Sequence, residues 1–325
     1  MTPSAEAPGA GRLPDFFVGG HAKSGTTALY EMLRRHPQIF MSELKEPLYF
    51  ATDLRLRFQR PAAGPLPTEL SEYLPLFADA APGQLVGEAS SSYLWSAEAA
   101  ANIAALRPDA KFIFILREPA AFLRSLHLQL LQNHIESEKD LRRALALEEQ
   151  RRQGKRIPRR STRPQALLYS DRVRYVEQLE RYRVHFPEQQ LLVLIYDDFR
   201  RENEATVRRV LRFLEVDDSV GVAPTEANPT VRMRSQQLDE LVNAVSVGRG
   251  PATRAVKGLI KAVTPSRLRE RALQATLERV VLGDVGAPEP AVMSEIRLRF
   301  RHEVVALSDY MNRDLVSEWG YDGLE

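Results

Sequence analysis

Cysteine is absent from all 325 residues, so the chain has no disulfide framework, no thiolate nucleophile, no thiolate-held zinc and no iron–sulfur cluster. Histidine is scarce, at six residues, and none stands in H-x-x-x-H or a similar ligand spacing, so no metal site and no metal requirement are expected. No apolar run approaches the roughly 20 residues that a membrane-spanning helix requires. Strong charge of one sign is also missing. Against 45 lysines and arginines stand 43 acids, and a net charge of +2 excludes a polycation that coats nucleic acid. The chemistry must come from oxygen and nitrogen groups, and any basic function is local.

What is present is ordinary globular material, 44% hydrophobic and 27% charged, enough for a sizeable core. The opening MTPSAEAPGAGRLPDFF lacks the basic start and apolar centre of a secretory signal. Residues 1–12 are therefore expected to be a flexible leader, residues 13–325 a single domain, and the location cytoplasmic.

Leu13 to Gly20 is a short apolar run ending in glycines, and Ala28, Leu29, Met32 and Leu33 then recur at helical spacing. That order reads as strand, loop, helix, closed by His36-Pro37. Residues 55–82 read as a long surface excursion with one short helix near Thr68 to Phe77. A short strand at Gln84 to Gly87 and a helix from Ser96 to Leu106 follow. KFIFILR (111–117) and LLVLIY (191–196) are uninterrupted apolar runs, which suits parallel strands covered on both faces. Helices are expected from Pro119 to Gln132, Arg172 to His185 and Glu204 to Leu214, and from Ser235 onward the chain reads as wholly helical. The fold class is α/β: a P-loop-like, three-layer arrangement with a central parallel sheet flanked by helices and a helical C-terminal part.

Gly20-His21-Ala22-Lys23-Ser24-Gly25-Thr26-Thr27 occupies the first strand-to-helix turn. Its glycines let backbone approach an anion, the helix start offers free N–H groups, Lys23 adds a cation, and Thr26 and Thr27 add hydroxyls. A Walker A loop carries its lysine directly after the second glycine, whereas here the lysine precedes Gly25 by two residues. A plain strand-to-helix turn is the competing reading. RRQGKRIPRRSTRP (151–164) holds seven basic residues and no acid, and reads either as a solvated helix end or as a basic lip for an anionic substrate.

FVGGHAKSGTTALYEMLRRHPQI, followed by KEPLYF, resembles the 5′-phosphosulfate region of sulfotransferases that use 3′-phosphoadenosine 5′-phosphosulfate (PAPS), in particular the bacterial and heparan-sulfate-type branch. FIFILREPAAFLRSLHLQ resembles the 3′-phosphate segment of that family, with Arg117 at a strand end, then Pro119 and Ser125. LLVLIYDDFRRENEATVRRVLRFLEV and the terminal MNRDLVSEWG are similar to its later segments. The resemblance implies PAPS as cosubstrate and adenosine 3′,5′-bisphosphate (PAP) as product, bound by Lys23, Ser24, Gly25, Thr26, Thr27, Arg117 and Ser125. It further implies Glu46 as general base and Lys23 as the cation that stabilises the leaving oxygen. The acceptor would be a hydroxyl, or less readily an amine, of a small molecule, lipid or glycan. Its contacts are expected from 51–82 and 133–170.

In the family's cytosolic branch a histidine takes the role of base, which keeps His127 and His134 as alternatives. Where the heparan-sulfate enzymes carry a lysine in a G-E-K-T-P segment, this chain reads Gly87-Glu88-Ala89-Ser90-Ser91, which weakens the case for a glycosaminoglycan acceptor; Lys45 is a substitute cation. Asp197-Asp198 could imitate a magnesium-binding Walker B acid but fits a helix start better. Arg232 and Arg234 are candidates for a loop over the nucleotide. Two other functions compete: a P-loop nucleotide or sugar kinase, which would need ATP and magnesium, and a nucleic-acid-binding protein using 151–163.

Overall fold

The computed structural model describes residues 12–55, 66–133, 135–159, 161, 164–220 and 290–324, and the backbone of 231–233 and 282–284. Most of the expected leader, His134 and Arg234 lie outside the described residues, as does the side chain of Arg232. The chain divides into two units, Met1–Ala227 with Pro290–Glu325, and Asn228–Glu289.

The first unit begins with β1 (Phe16–Gly20), α1 (Thr26–Leu33), β2 (Ile39–Met41) and the single turns α2 (Thr52–Arg55) and α3 (Leu70–Tyr73). Then come β3 (Leu85–Ala89), α4 (Ala99–Leu106), β4 (Lys111–Leu116), α5 (Pro119–Gln132), α6 (Leu141–Ala146) and α7 (Glu148–Arg152). After α8 (Tyr175–Arg183), β5 (Leu191–Ile195), α9 (Tyr196–Arg201) and α10 (Asn203–Phe213), it closes with α11 (Pro290–Met311) and α12 (Leu315–Glu318). In the second unit, Val231–Met233 (β6) pairs antiparallel with Leu282–Asp284 (β7). Strand β7 corrects the expectation of helix throughout from Ser235, which holds for α11 and α12.

The five strands of the first unit form one sheet in the order β2-β3-β1-β4-β5, with every neighbouring pair parallel. Parallel neighbours need crossovers, and the crossover helices bury both faces of the sheet. The continuous apolar runs therefore split by alternation. Phe17, Phe112 and Phe114 point to one face, where they meet Ile103 of α4, Leu123 of α5, Leu179 of α8 and Val304 of α11. Phe16, Val18, Ile113 and Ile115 point to the other, against Leu29 and Met32 of α1 and Val207 and Val210 of α10. The result is the expected three layers.

Strand order fixes where a ligand can enter. From β1 the chain moves outward through α1 to β2, whereas from β4 it moves the opposite way to β5. The reversal opens a crevice at the carboxyl ends of β1 and β4, where Gly20 lies in register with Ile115. The later part of the 55–82 segment differs from a surface excursion: Tyr73 and Phe77 are fully buried in the core. Among the described residues, no helix is long and apolar enough to cross a membrane.

Candidate active site

The turn from β1 to α1 is shaped by its glycines. Gly20 has φ +132°, and a Cβ there would stand 2.5 Å from the Ile115 carbonyl oxygen. Gly25 caps α1 in the left-handed region, and no side chain caps the helix. The first amides of α1 therefore keep no intrahelical acceptor and face the mouth of the turn. Ser24 is fully buried, yet its hydroxyl has no hydrogen-bond partner among the described residues. A buried orphan hydroxyl beside an uncapped helix start suits a phosphate or sulfate oxygen.

Arg117, one residue beyond β4, reaches across to this turn. Its Nη1 donates to the Lys23 carbonyl at 2.9 Å and to the Ser125 hydroxyl at 3.1 Å. Its guanidinium lies 4.8 Å over the Tyr196 ring, and its own carbonyl accepts from the Tyr175 hydroxyl at 2.9 Å. Lys23, Ser24, Gly25, Thr26 and Thr27 on the turn and first turn of α1 thus stand at one crevice with Arg117 and Ser125. Burial, and next the Arg117 cation, push the Lys23 ammonium below its ordinary range. Two adjacent cations at an uncapped helix start invite an anion.

A sequence profile of the Sulfotransferase family matches residues 14–219, which span β1 through α10. The chain belongs to the sulfotransferase family. It is 33% identical over 129 residues to human (Homo sapiens) heparan sulfate glucosamine 3-O-sulfotransferase 6, covering 40% of this chain and 34% of that protein. To mouse (Mus musculus) carbohydrate sulfotransferase 15 it is 32% identical over 154 residues, covering 36% of this chain and 27% of that protein. The matched region is thus about a third of the length of these relatives. The solved sulfotransferase from Alicyclobacillus acidocaldarius shares the fold, with a TM-score of 0.64 at 23% identity over 94% of this chain and 98% of the other.

Glu46 lies at the carboxyl end of β3, the strand beside β1, because its backbone N–H donates to the Ala89 carbonyl at 2.9 Å. Its Oε1 accepts from Ser91 N at 3.1 Å, from the Ser91 hydroxyl at 2.6 Å and from Lys45 Nζ at 3.0 Å. Those three donors all fall on one oxygen. Glu46 has φ 61° and Lys23 φ 72°, two of the few non-glycine residues in the left-handed region. Such backbone is unfavourable for ordinary side chains and concentrates at functional sites.

Beneath Glu46, Glu88 is fully buried on β3. Its Oε2 accepts from the Tyr73 hydroxyl at 2.6 Å and the Tyr93 hydroxyl at 2.8 Å, and Tyr93 Oη also accepts from Phe50 N at 3.3 Å. Burial pushes the Glu88 carboxyl up to about 7.

Other candidates are occupied elsewhere. His127 is buried on α5, its Nδ1 2.9 Å from the Tyr169 hydroxyl and its Nε2 3.1 Å from the Lys139 carbonyl, and burial lowers its pKa. Asp198 begins α9 as a helix-start acid, and both its oxygens are bonded by Arg313. The basic stretch is partly consumed: Arg151 forms a fully buried pair with Glu136 at 2.8 Å, and Arg152 pairs with Asp171 at 2.6 Å. The sequence reading did not find Ser91, Tyr175 or Tyr196. Tyr196 had a usable signal, since it ends the LLVLIY strand beside β4, where open parallel sheets bind ligands.

Proposed function

We propose that this sulfotransferase moves the sulfuryl group of PAPS to a hydroxyl on a glycan or small molecule and releases PAP. The observation that carries the reading is the Arg117 bridge, which holds a forked cation, the Ser125 hydroxyl and the Lys23 turn within one crevice. A nucleotide with phosphates on both the 5′ and the 3′ side needs two anion grips, and these residues supply them. Ser24, Gly25, Thr26 and Thr27 would hold the 5′ side, and Arg117 with Ser125 the 3′ side.

PAPS when bound supplies an activated sulfuryl group on a good leaving phosphate. Glu46 would take the acceptor's proton on Oε2, since the donors on Oε1 fix its orientation. As the acceptor oxygen bonds to sulfur and the bridging S–O bond breaks, negative charge grows on the departing phosphate oxygen. Lys23 would stabilise that charge from the turn. Lys45, against Glu46, would supply the second cation that the Ala89-Ser90-Ser91 segment lacks.

Calorimetry with PAP against adenosine 5′-phosphate tests the reading. The expected result is a preference for PAP that Arg117→Ala reduces by about 10- to 100-fold, the worth of hydrogen bonds to a charged group. Equal affinities in the unaltered protein would remove the 3′-phosphate assignment. A kinase would instead require ATP and magnesium, and the Asp198 carboxylate such an enzyme would use is held by Arg313.

A further inference from the structure

Arg117 and the Tyr196 ring beneath it stand at two neighbouring junctions, one leading from β4 into α5 and the other from β5 into α9. The residues immediately beyond them are Glu118, and Asp197 with Asp198. Each of these three acids accepts a hydrogen bond from a single short stretch near the C-terminus. The Tyr321 hydroxyl donates to Glu118 Oε1, while the two Glu118 oxygens also cap α5 through Ala120 N and Ala121 N. Trp319 Nε1 donates to Asp197 Oδ2 at 3.1 Å. Arg313 donates to both oxygens of Asp198, Nη2 to Oδ1 at 3.0 Å, and is itself braced by Glu318 at 2.8 Å.

These contacts join positions separated by 115 to 203 residues, so they are not a by-product of local chain geometry. Leu315 and Tyr321 are fully buried and Trp319 nearly so, which seats the stretch firmly. Ion pairs as exposed as Arg313 with Asp198 contribute little to stability by themselves. Their concentration on the three residues flanking Arg117 and Tyr196 asks for another explanation.

We propose that residues 313–321 are a clasp that sets Arg117 against Tyr196, so that Arg313, Trp319 and Tyr321 are positioning residues for the 3′-phosphate end of the nucleotide. This rests on the PAPS reading above. The clasp touches neither the Lys23 turn nor Glu46 in any contact of the described residues. Its influence on the 5′ side passes only indirectly, through Arg117 and its bond to the Lys23 carbonyl, so it should act more on recognition of the 3′-phosphate than on the 5′ side.

The test uses the full chain and three substitutions that keep side-chain bulk, Trp319→Phe, Tyr321→Phe and Arg313→Gln, each titrated calorimetrically with PAP and with adenosine 5′-phosphate. The expected result is a fall of about 3- to 10-fold in the preference for PAP in each variant, with a smaller loss of affinity for adenosine 5′-phosphate. Arg313→Lys, which restores one charged donor, should recover part of the loss. The proposal is overturned if the preference is unchanged in all three variants. A parallel loss of affinity for both nucleotides would overturn it as well, because that is the signature of a merely structural role. If the unaltered protein shows no preference for PAP, the PAPS reading fails first and the clasp assignment falls with it.

Discussion

The crevice between β1 and β4 and the shelf at the end of β3 lie on the same edge of the sheet, about 5 Å apart per strand, yet they are built in opposite ways. The crevice comes largely from consecutive residues, Gly20 to Thr27, and presents backbone amides, a helix start and two cations. The shelf is assembled from distant segments: Ser91 reaches Glu46 across 45 residues, and Tyr93 reaches Phe50 across 43. Its polar groups are side chains: two carboxylates, two tyrosines, the Ser91 hydroxyl and the Lys45 ammonium. A grip on a shared nucleotide can be written once in the backbone, whereas a site that accepts one particular acceptor is made of side chains that can be exchanged around a fixed base.

The sharpest way to break this division of labour is Glu46→Gln. An amide keeps the volume and can still accept from Ser91, but it cannot take a proton. Turnover should fall by about 10²- to 10⁴-fold, the usual contribution of a positioned general base, with affinity for PAP unchanged. Measuring kcat beside the PAP dissociation constant separates the two halves of the site. Full turnover in the variant would transfer the base to another group, and a large loss of PAP affinity would show that shelf and crevice are not independent.

A second difference lies in pH. On the shelf side, Glu88 is held up to about 7 by burial, against an ordinary value of 4.5. Below pH 4.5 both folded and unfolded chains carry this proton. Between 4.5 and 7 only the folded chain keeps it, so this group's contribution to stability falls as pH rises, and above 7 the loss levels off. The span corresponds to about 3 kcal/mol, at 1.36 kcal/mol for each pH unit. Glu88→Gln mimics the protonated acid and should cancel the slope. Denaturant unfolding at pH 5 and pH 8 checks it: relative to the unaltered chain, the variant should gain stability at the higher pH. An equal offset at both values would mean that Glu88 is not the group being titrated. Near the crevice the sign reverses, because Arg313 holds Asp198 below its usual range, and that contribution is lost as pH falls through the lowered value.

The same contrast explains what could be read before any coordinates. β1, its turn and α1 are contiguous, and buried parallel strands such as Lys111–Leu116 announce themselves as unbroken apolar runs. Arg117 and Ser125 are legible through the family resemblance of one contiguous segment, from the end of β4 into α5. β2, with only Ile39–Met41, is too short for any periodicity to register. Ser91, Tyr73 and Tyr93 act through partners that no local pattern encodes. The basic stretch from Arg151 looked free of acids because the carboxylates that pair with it lie outside it, Glu136 15 residues upstream of Arg151 and Asp171 beyond the stretch against Arg152. The excursion at 55–82 looked like surface for a related reason, since prolines hide the fact that Tyr73 is buried against Glu88.

The smallest change with a readable consequence lies in the crevice. Gly25 has φ +89°, and a Cβ there would stand 3.1 Å from the Phe199 ring and 3.2 Å from the Tyr196 ring. Gly25→Ala should therefore cost about 1–2 kcal/mol from the left-handed backbone, read as a lowered midpoint in denaturant. The added methyl also presses on Tyr196, the ring that carries Arg117, so affinity for PAP should fall while Glu46 and its Ser91 donors remain undisturbed. The two halves then answer differently to alteration. On the shelf, removing the proposed proton acceptor should lower turnover without touching nucleotide affinity. In the crevice, one methyl should loosen the nucleotide while turnover at saturating PAPS is retained. If Gly25→Ala lowers turnover at saturation as severely as Glu46→Gln does, the methyl has also displaced Lys23 from the leaving oxygen, and grip and chemistry cannot be separated within the turn.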